Sequence, residues 1–590
     1  KPLFLDDLYS EFAQCMAAGP RKKYDELRKF QIKLASLKFL DPACGSGNFL
    51  VITYRELRRL EHKVVAQLAK NADQQDMFAS AGEGAGTLRV NVDQMYGIEI
   101  DEFPSLVAQT ALWLTDHQMN MEFSRESGRT FKRLPLTASA TIVHANALTI
   151  DWESVVAPSE LNYILGNPPF LGHHLQSEEQ KADMVAVLQD IKGAGVLDFV
   201  SAWYEKSTQL MKLNPRIQTA LVSTNSITQG EQATLLWRQL FKQNVRINFA
   251  HRTFKWNNDA KGNAAVYCVI VGFALFDKSE KRIFEYTDIR GEPNEVVVKN
   301  INQYLVDAPD ILIENRSKPL CEVPAMMYGN KPTDGGNFLL TDEEKQEFLQ
   351  QEPQAEQIIK PFISAKEFLH NQKRWVIWLD GVDPSLLKTM PNVMARVDAV
   401  RQFRLASKAA STRDFPYPTL FRQITQSKSD YILIPAHSSE NRDYIPMGFY
   451  SKDDILSNSC FAVTDATLYH FAILTSHMHM AWMRAVAGRL KSDYRYSKDI
   501  VYNNFIWPEA TDEQKASIEN LAQAVLDARV QFPDSSLADL YDPLTMPPAL
   551  ARAHTQLDRA VDKLYRPRPF AGDAERVARL FELYQEKHER

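Results

Sequence analysis

Asp41-Pro42-Ala43-Cys44-Gly45-Ser46-Gly47-Asn48-Phe49 lies between a short apolar run, Leu37 to Leu40, and a long amphipathic segment, Phe49 to Ala69. An apolar run, a glycine turn and a helix in that order open a βαβ unit, and the turn exposes backbone N–H groups at the carboxyl end of a sheet. Gly45 and Gly47 predict a close approach that a Cβ would block. Outward from this turn the alternation continues. Candidate strands fall at Leu37 to Leu40, Met95 to Glu99, Thr141 to His144, Asn162 to Leu165, Gln218 to Ser223, Arg246 to Ala250 and Ala265 to Phe273. Helices are predicted between them at Phe49 to Ala69, Pro104 to Asn120, Asp198 to Leu213 and Gln232 to Phe241. The pattern predicts an α/β fold, a Rossmann-like seven-stranded sheet with helices on both faces. Asn71 to Gly86, rich in Gly, Ala, Asp and Gln, predicts a mobile loop.

Three further features sit at the same predicted sheet edge. The second strand ends Gly97-Ile98-Glu99-Ile100-Asp101, which puts a carboxylate where nucleoside-binding folds, NAD-binding ones included, hold ribose hydroxyls. The third ends His144-Ala145-Asn146-Ala147-Leu148. The fourth closes with Asn167-Pro168-Pro169-Phe170, a turn that Pro169 stiffens. Its chemistry suits an amine on an aromatic ring, a poor nucleophile because its lone pair is delocalised. Two acceptors that hold the N–H bonds, the Asn167 side-chain oxygen and the Pro168 carbonyl, draw that lone pair out of the ring, and Phe170 is placed to stack on the base. No general base is evident.

Taken together, these strings resemble those of the N6-adenine DNA methyltransferases of the gamma class, in which the cofactor turn comes first, the catalytic turn second and a recognition domain last. The resemblance implies a class I S-adenosylmethionine-dependent methyltransferase fold. It implies that Asp41, Pro42, Ala43, Cys44, Gly45, Gly47, Asn48 and Phe49 bind S-adenosylmethionine, that Glu99 accepts from the ribose hydroxyls, and that Ile100 packs on the cofactor's adenine. Asn146, Ala147 and Leu148 match the position that usually reads Asp-Ala-Leu and touches the adenine amine. Asn146 departs from the commoner Asp but keeps an acceptor oxygen. Asn167, Pro168, Pro169 and Phe170 are the implied catalytic residues, with Asn167 also beside the cofactor. The work lies in aligning donor, nitrogen and leaving sulfur, and the proton can leave to water once the nitrogen is alkylated. Asp198-Phe199 matches a family position near the cofactor pocket and reads equally as a carboxylate at a helix N-terminus. Thr224-Asn225-Ser226 reads as a polar loop or as part of the target pocket. An adenine in duplex DNA must be flipped out to reach such a site, at a cost of a few kcal/mol, so a DNA-clasping region is expected between about residues 300 and 508.

That region narrows the resemblance. Met327-Tyr328-Gly329-Asn330-Lys331-Pro332, Asp334-Gly335-Gly336-Asn337-Phe338, Lys360-Pro361-Phe362, the run Ala487 to Ser497 and Asn503-Asn504-Phe505-Ile506-Trp507-Pro508 resemble the MmeI-type (type IIL) restriction-modification enzymes. The implied layout is an N-terminal helical segment at 1–36, the methyltransferase domain at 37–300, an α+β target-recognition domain at 301–508 and a C-terminal helical domain at 509–590. The family's nuclease is not expected here, because no Pro-Asp followed by Glu-x-Lys precedes residue 37. The start at Lys1 predicts a chain that extends further upstream; either a nuclease domain has been trimmed or this is a methyltransferase-only relative, with an upstream nuclease domain or a separate restriction partner as the expected partner. If the segment around Lys491, Asp493 and Arg495 is extended, all three side chains point one way and can face a major groove, Lys491 donating to guanine and Asp493 accepting from the paired cytosine. A surface ion pair is the alternative. The aromatics Trp375, Trp378, Phe415, Tyr417 and Phe421 read mainly as core.

Composition bounds the rest. A chain of 590 residues exceeds a single core, and no apolar run approaches the roughly 18 to 20 residues of a membrane helix. Five scattered cysteines fit neither a disulfide framework nor a zinc site, and predict a reducing cytoplasm. The net charge of −6 is unhelpful for DNA, yet from Arg396 to Lys428 the basic residues outnumber Asp398 and Asp414. Within it, Arg401, Arg404, Lys408 and Arg413 are expected to neutralise phosphates, with a solvated helix face as the alternative. The expected partner is double-stranded DNA with a short specific site. Competing readings are an RNA-base or protein-glutamine N-methyltransferase, a cytosine-N4 enzyme, or a non-catalytic DNA specificity subunit. The long C-terminal region and the intact Asn167, Phe170 and Glu99 count against them.

Overall fold

The computed structural model describes residues 1–75, 88–127, 139–256, 266–286, 291–490 and 493–588. The backbone divides into two compact units, Lys1–Thr228 with Gln232–Leu312, and Gln229–Glu231 with Ile313–Arg590.

In the first unit, helices α1 (Leu5–Ala17) and α2 (Pro20–Ser36) precede strand β1 (Phe39–Asp41) and helix α3 (Asn48–Gln75). There follow β2 (Met95–Glu99), α4 (Glu102–Ser127), β3 (Thr141–His144), β4 (Tyr163–Gly166), α5 (Glu178–Val187), α6 (Ser201–Leu213), β5 (Gln218–Thr224), α7 (Gly230–Lys242), β6 (Arg246–Trp256), β7 (Val266–Ala274), β8 (Lys281–Glu285) and β9 (Asn294–Val298). Helix α3 forms because Leu50, Tyr54, Leu57, Leu60 and Val64 recur at helical spacing, and all five are fully buried against the sheet. Arg58, buried on the same helix, donates to Tyr54 Oη at 2.6 Å, Asp116 Oδ1 at 2.5 Å and Asn120 Oδ1 at 2.7 Å, which fastens α3 to α4.

The sheet order is β3-β2-β1-β4-β5-β7-β6-β8-β9. Strands β1 to β5 pair in parallel, and β7 is antiparallel to both β5 and β6. The chain leaves β1 toward β2 and β3, then returns to β4 on the other side, so the carboxyl ends of β1 and β4 flank a topological switch point where α/β sheets bind ligands. Among the described residues the sheet has nine strands rather than the expected seven. The two extra strands were hidden by charge, because Lys281 opens β8 and β9 is mostly exposed. Lys281 is nonetheless buried, its Nζ 2.9 Å from Asn300 Oδ1 and 2.7 Å from Asp277 Oδ1. Helix α5 was not expected, and α3 continues to Gln75, so the start of the predicted loop is helical. The remainder of that loop, from residue 76, lies outside the described residues.

The second unit is α+β. One antiparallel sheet runs Met326–Tyr328, Cys460–Thr464, Tyr431–Pro435, Gly448–Tyr450; another runs Leu339–Leu340, Trp375–Ile377, Ile359–Ile363, Ile455–Leu456; a third joins His437–Ser438, Asp493–Arg495 and Gly488–Leu490. Trp375, Trp378 and Phe421 pack in a core, where Trp378 meets Phe421 edge-on at 5.1 Å beside Phe338 and Phe362, whereas Phe415 is half-buried outside that cluster and Tyr417 is exposed. Helices Asp512–Val530, Pro548–Tyr565 and Asp573–His588 follow, with a short turn at Leu537–Leu540. No helix among the described residues is long and apolar enough to cross a membrane, and all five cysteines are free thiols.

Candidate active site

The β1–α3 turn is built by backbone geometry. Cys44 N–H donates to Ile98 O at 3.0 Å, Gly47 N–H to Cys44 O at 2.8 Å, and the Trp203 indole to Pro42 O at 3.1 Å. Gly45 and Gly47 have φ of +53° and +81°, a region costly for residues with a Cβ. A Cβ at Gly45 would point into open space, whereas one at Gly47 would meet Ala108 Cβ at 3.0 Å. The close approach expected at both glycines is thus a ligand-facing cradle only at Gly45; at Gly47 it is helix packing.

Along the parallel edge lies a cavity of about 590 Å³. Of the residues expected from the sequence, Pro42, Ala43, Gly45, Glu99, Ile100, Asn146, Ala147, Asn167 and Pro169 line it. Asp41, Cys44, Gly47, Asn48, Phe49, Leu148, Pro168 and Phe170 do not. Asp41 and Cys44 are buried beneath the turn, Asn48 is exposed at the start of α3, and Phe170 is half-buried just past the cavity wall. Asp41 supports the turn from inside: its Oδ1 accepts from Ala43 N–H at 3.1 Å, and burial pushes its carboxyl up from 3.8 to about 7. A Cβ on Gly166 would come within 2.5 Å of that oxygen, so β1 and β4 close up just before Asn167.

Glu99 is held by two backbone donors, Gly45 N–H at 2.8 Å and Asp101 N–H at 3.1 Å, one to each carboxylate oxygen. Ile100 beside it is 61% exposed, an apolar side chain offered to the cavity. Asn167 carries the sharpest signal: its side-chain oxygen is buried and has no hydrogen-bond partner. A buried acceptor left unpaired costs about 1–3 kcal/mol, which is tolerated where a ligand donor completes it. Asp198 orients the segment after Asn167. Its Oδ1 accepts from Leu171 N–H at 3.0 Å and Val200 N–H at 3.2 Å, and burial raises its pKa against those two bonds. Leu171 O accepts from Phe199 N–H at 3.0 Å, and Phe199 lines the cavity, while α6 begins at Ser201 with no side-chain cap and no acidic residue in its first turn.

Sequence reasoning missed Ser177, Glu179, Gln180, Asp183 and Trp203, which also line the cavity. A signal was present, since Ser177 and Gln180 form a reciprocal capping box that starts α5 shortly after the Asn167–Phe170 turn. Asn146 differs from expectation: its oxygen accepts from Leu148 N–H at 2.9 Å and its amide nitrogen donates to Asp183 Oδ2 at 2.8 Å.

In the second unit the expected DNA-facing residues separate. Asp493 and Arg495 are both exposed on their strand while Tyr494 between them is buried, so the two share a face, and Asp493 Oδ1 lies 3.4 Å from the Glu440 amide. Lys491 lies outside the described residues. Arg401 and Arg413 are exposed and pair with Asp398 at 3.3 Å and Asp414 at 3.1 Å. Arg404 is a correction. It is 2% exposed, and its guanidinium donates to the carbonyls of Thr333, Tyr417, Pro332 and Leu420 at 2.8 to 3.0 Å, which occupies the donors a phosphate would need.

A doubly wound sheet with a nucleoside-sized cavity at the carboxyl ends of β1 to β4 defines the class I methyltransferase fold. Comparison with known proteins gives the family. Residues 17–285 match the family described as MmeI, DNA-methyltransferase domain, residues 307–509 the MmeI target recognition domain, and residues 510–590 the MmeI C-terminal domain. The chain belongs to the MmeI family of type IIL restriction-modification enzymes. It is 48% identical to the MmeI chain of a solved complex with DNA, with a TM-score of 0.86, covering 100% of this chain and 77% of that one. It is 40% identical to DNA methyltransferase A of Bacillus subtilis (strain 168) over 595 aligned positions, covering 100% of this chain and 65% of that protein. The chain therefore spans just under two thirds of the length of this curated relative.

Proposed function

We propose that this chain is a sequence-specific DNA adenine N6-methyltransferase that uses S-adenosylmethionine and acts on a flipped base, as the modification part of a type IIL restriction-modification system in the cytoplasm. The observation that carries the reading is the buried, unpartnered oxygen of Asn167 on the wall of the cavity. Membership in a family that includes a member solved in complex with DNA supports the substrate class.

The residues present fit the cofactor. Gly45 leaves a cradle that a Cβ would fill, the Glu99 carboxylate stands at the tip of β2, and Ile100 presents an apolar face. S-adenosylmethionine, when bound, supplies an activated methyl group on a sulfonium. The chain's own part is geometric and electrostatic. Asn167 Oδ1 accepts one N–H of the target amine and the Pro168 carbonyl the other, so that nitrogen density develops toward the donor. Phe170 stacks on the extruded ring. Asp198 keeps Leu171 in place and so fixes the exit of the turn. The backbone donors on Glu99 hold the carboxylate in the position that ribose hydroxyls require. Because these groups are preorganised, they stabilise charge as it develops without reorganising.

In the second unit, Asp493 and Arg495, with Lys491, are proposed to read base edges, and Arg401 and Arg413 to contact phosphates. Expression in a host without its own adenine methylation, followed by genome-wide mapping of modified bases, tests the whole reading. N6-methyladenine at one short shared motif is expected, and its loss with Asn167→Ala. Modified cytosine, or no modified base, overturns it.

A further inference from the structure

We infer that Asp183, on α5, is the acceptor for the exocyclic amine of the methyl donor's own adenine ring, in place of Asn146; the inference rests on the methyltransferase reading above. Asn146 stands where the third strand ends, but its amide is committed. The oxygen takes the Leu148 N–H and the nitrogen donates to Asp183 Oδ2. These two bonds fix which way the amide faces, since a backbone N–H needs an acceptor and a carboxylate needs a donor. Asp183 lines the cavity beside Ile100, Ala147 and Gln180. Among the described residues its second oxygen, Oδ1, makes no hydrogen bond.

The pair also accounts for asparagine at position 146. An aspartate there would set a second carboxylate against Asp183, and like charges at that distance destabilise one another. Asparagine instead donates, holds the Asp183 carboxylate in place and leaves Oδ1 for a ligand. A carboxylate is acceptor-only, which matches a ring amine with two N–H bonds and rejects a ring carbonyl. Glu99 for the ribose, Ile100 for the face of the ring and Asp183 for its edge then all line the same cavity.

The experiment is equilibrium binding by calorimetry to the whole chain, with S-adenosyl-L-homocysteine and with S-inosyl-L-homocysteine, in which an oxygen replaces the ring amine. The wild-type chain should prefer the adenosyl ligand. Asp183→Asn keeps an oxygen for Asn146 and exchanges Oδ1 for an NH2 group, so it should weaken the adenosyl ligand about tenfold or more while strengthening the inosyl one. An unchanged preference, or equal weakening of both ligands, overturns the assignment. Asn146→Asp is a second, independent test. It should weaken adenosyl binding by repulsion against Asp183, whereas equal or tighter binding would return the acceptor role to position 146. If the wild-type chain binds neither ligand, the methyltransferase reading falls and this assignment with it; if it binds the adenosyl ligand and the variants do not move the preference, this assignment falls alone.

Discussion

The Asn167 turn and the basic run treat their polar atoms in opposite ways. On the wall of the first unit's cavity, Asn167 keeps a buried oxygen without a partner. In the second unit, Arg404 is also buried, yet its guanidinium meets four backbone carbonyls. Both residues looked functional in the sequence. The difference teaches that a buried polar group is informative about ligands when its valence is open, and about folding when it is filled.

The comparison breaks most visibly at Arg404. Replacing it with alanine strips four carbonyls of their donor, and unsatisfied buried groups cost about 1–3 kcal/mol each before relaxation. Arg404→Ala is therefore expected to lose about 4 kcal/mol of stability in urea denaturation. A loss under 1 kcal/mol would mean that the carbonyls find water and that the arginine is available for DNA. Asn167→Ala should do the reverse. It removes an atom that no protein group depends on, so the melting temperature should hold while methyl transfer to a DNA substrate falls about 10²–10³-fold, the range found when one preorganised polar contact to a transition state is deleted. A parallel fall in stability would assign Asn167 to the scaffold.

The same distinction explains what was legible in the sequence. The glycine turn, Glu99, Ile100 and Asn167 could be located because strand ends fix where a backbone points, and a period of two or 3.6 residues gives those ends. Asp183 could not, because its role depends on α5 folding back over the cavity and on one amide contact with Asn146, neither of which has a sequence period. Strand β8 escaped notice because Lys281 reads as surface, though its amine is satisfied by Asn300 and Asp277. Arg404 was misread for a related reason: a count of positive charges carries no information about which side chains turn inward. The alternation at Asp493 and Arg495 was legible, since an extended backbone dictates it.

Asp41 sharpens the contrast within the turn itself. Its Oδ2 is buried and unpaired, like the Asn167 oxygen, but it faces protein and not the cavity. Burial holds the carboxyl up at about 7 from an ordinary 3.8. With the folded value raised, the native state binds the proton more tightly than the unfolded chain does. That contribution to stability is complete below about pH 4 and is lost as pH rises through 7. Asp41→Asn, which keeps an acceptor for the Ala43 amide, should therefore gain on the wild type by about 2 kcal/mol between pH 5 and pH 8, read from urea midpoints at both values. A constant difference would mean that Asp41 is ionised throughout and that a solvent or ligand contact stabilises it.

The smallest effect is expected at Arg401, where the basic run does reach solvent. Its partner Asp398 is equally exposed, and pairs of that kind contribute little to folding, so Arg401→Ala should leave stability within about 0.5 kcal/mol of the wild type. Its signature belongs to DNA binding. A phosphate contact releases counterions, so its removal should weaken every DNA sequence alike and lower the slope of log K against log salt by about 1. The slope is the deciding quantity, because affinity at one salt concentration falls for many reasons whereas the slope counts phosphates. An unchanged slope would place Arg401 with Arg404, as a cation that serves the protein and not its nucleic acid, and would leave Arg413 as the exposed arginine of that run still to be tested.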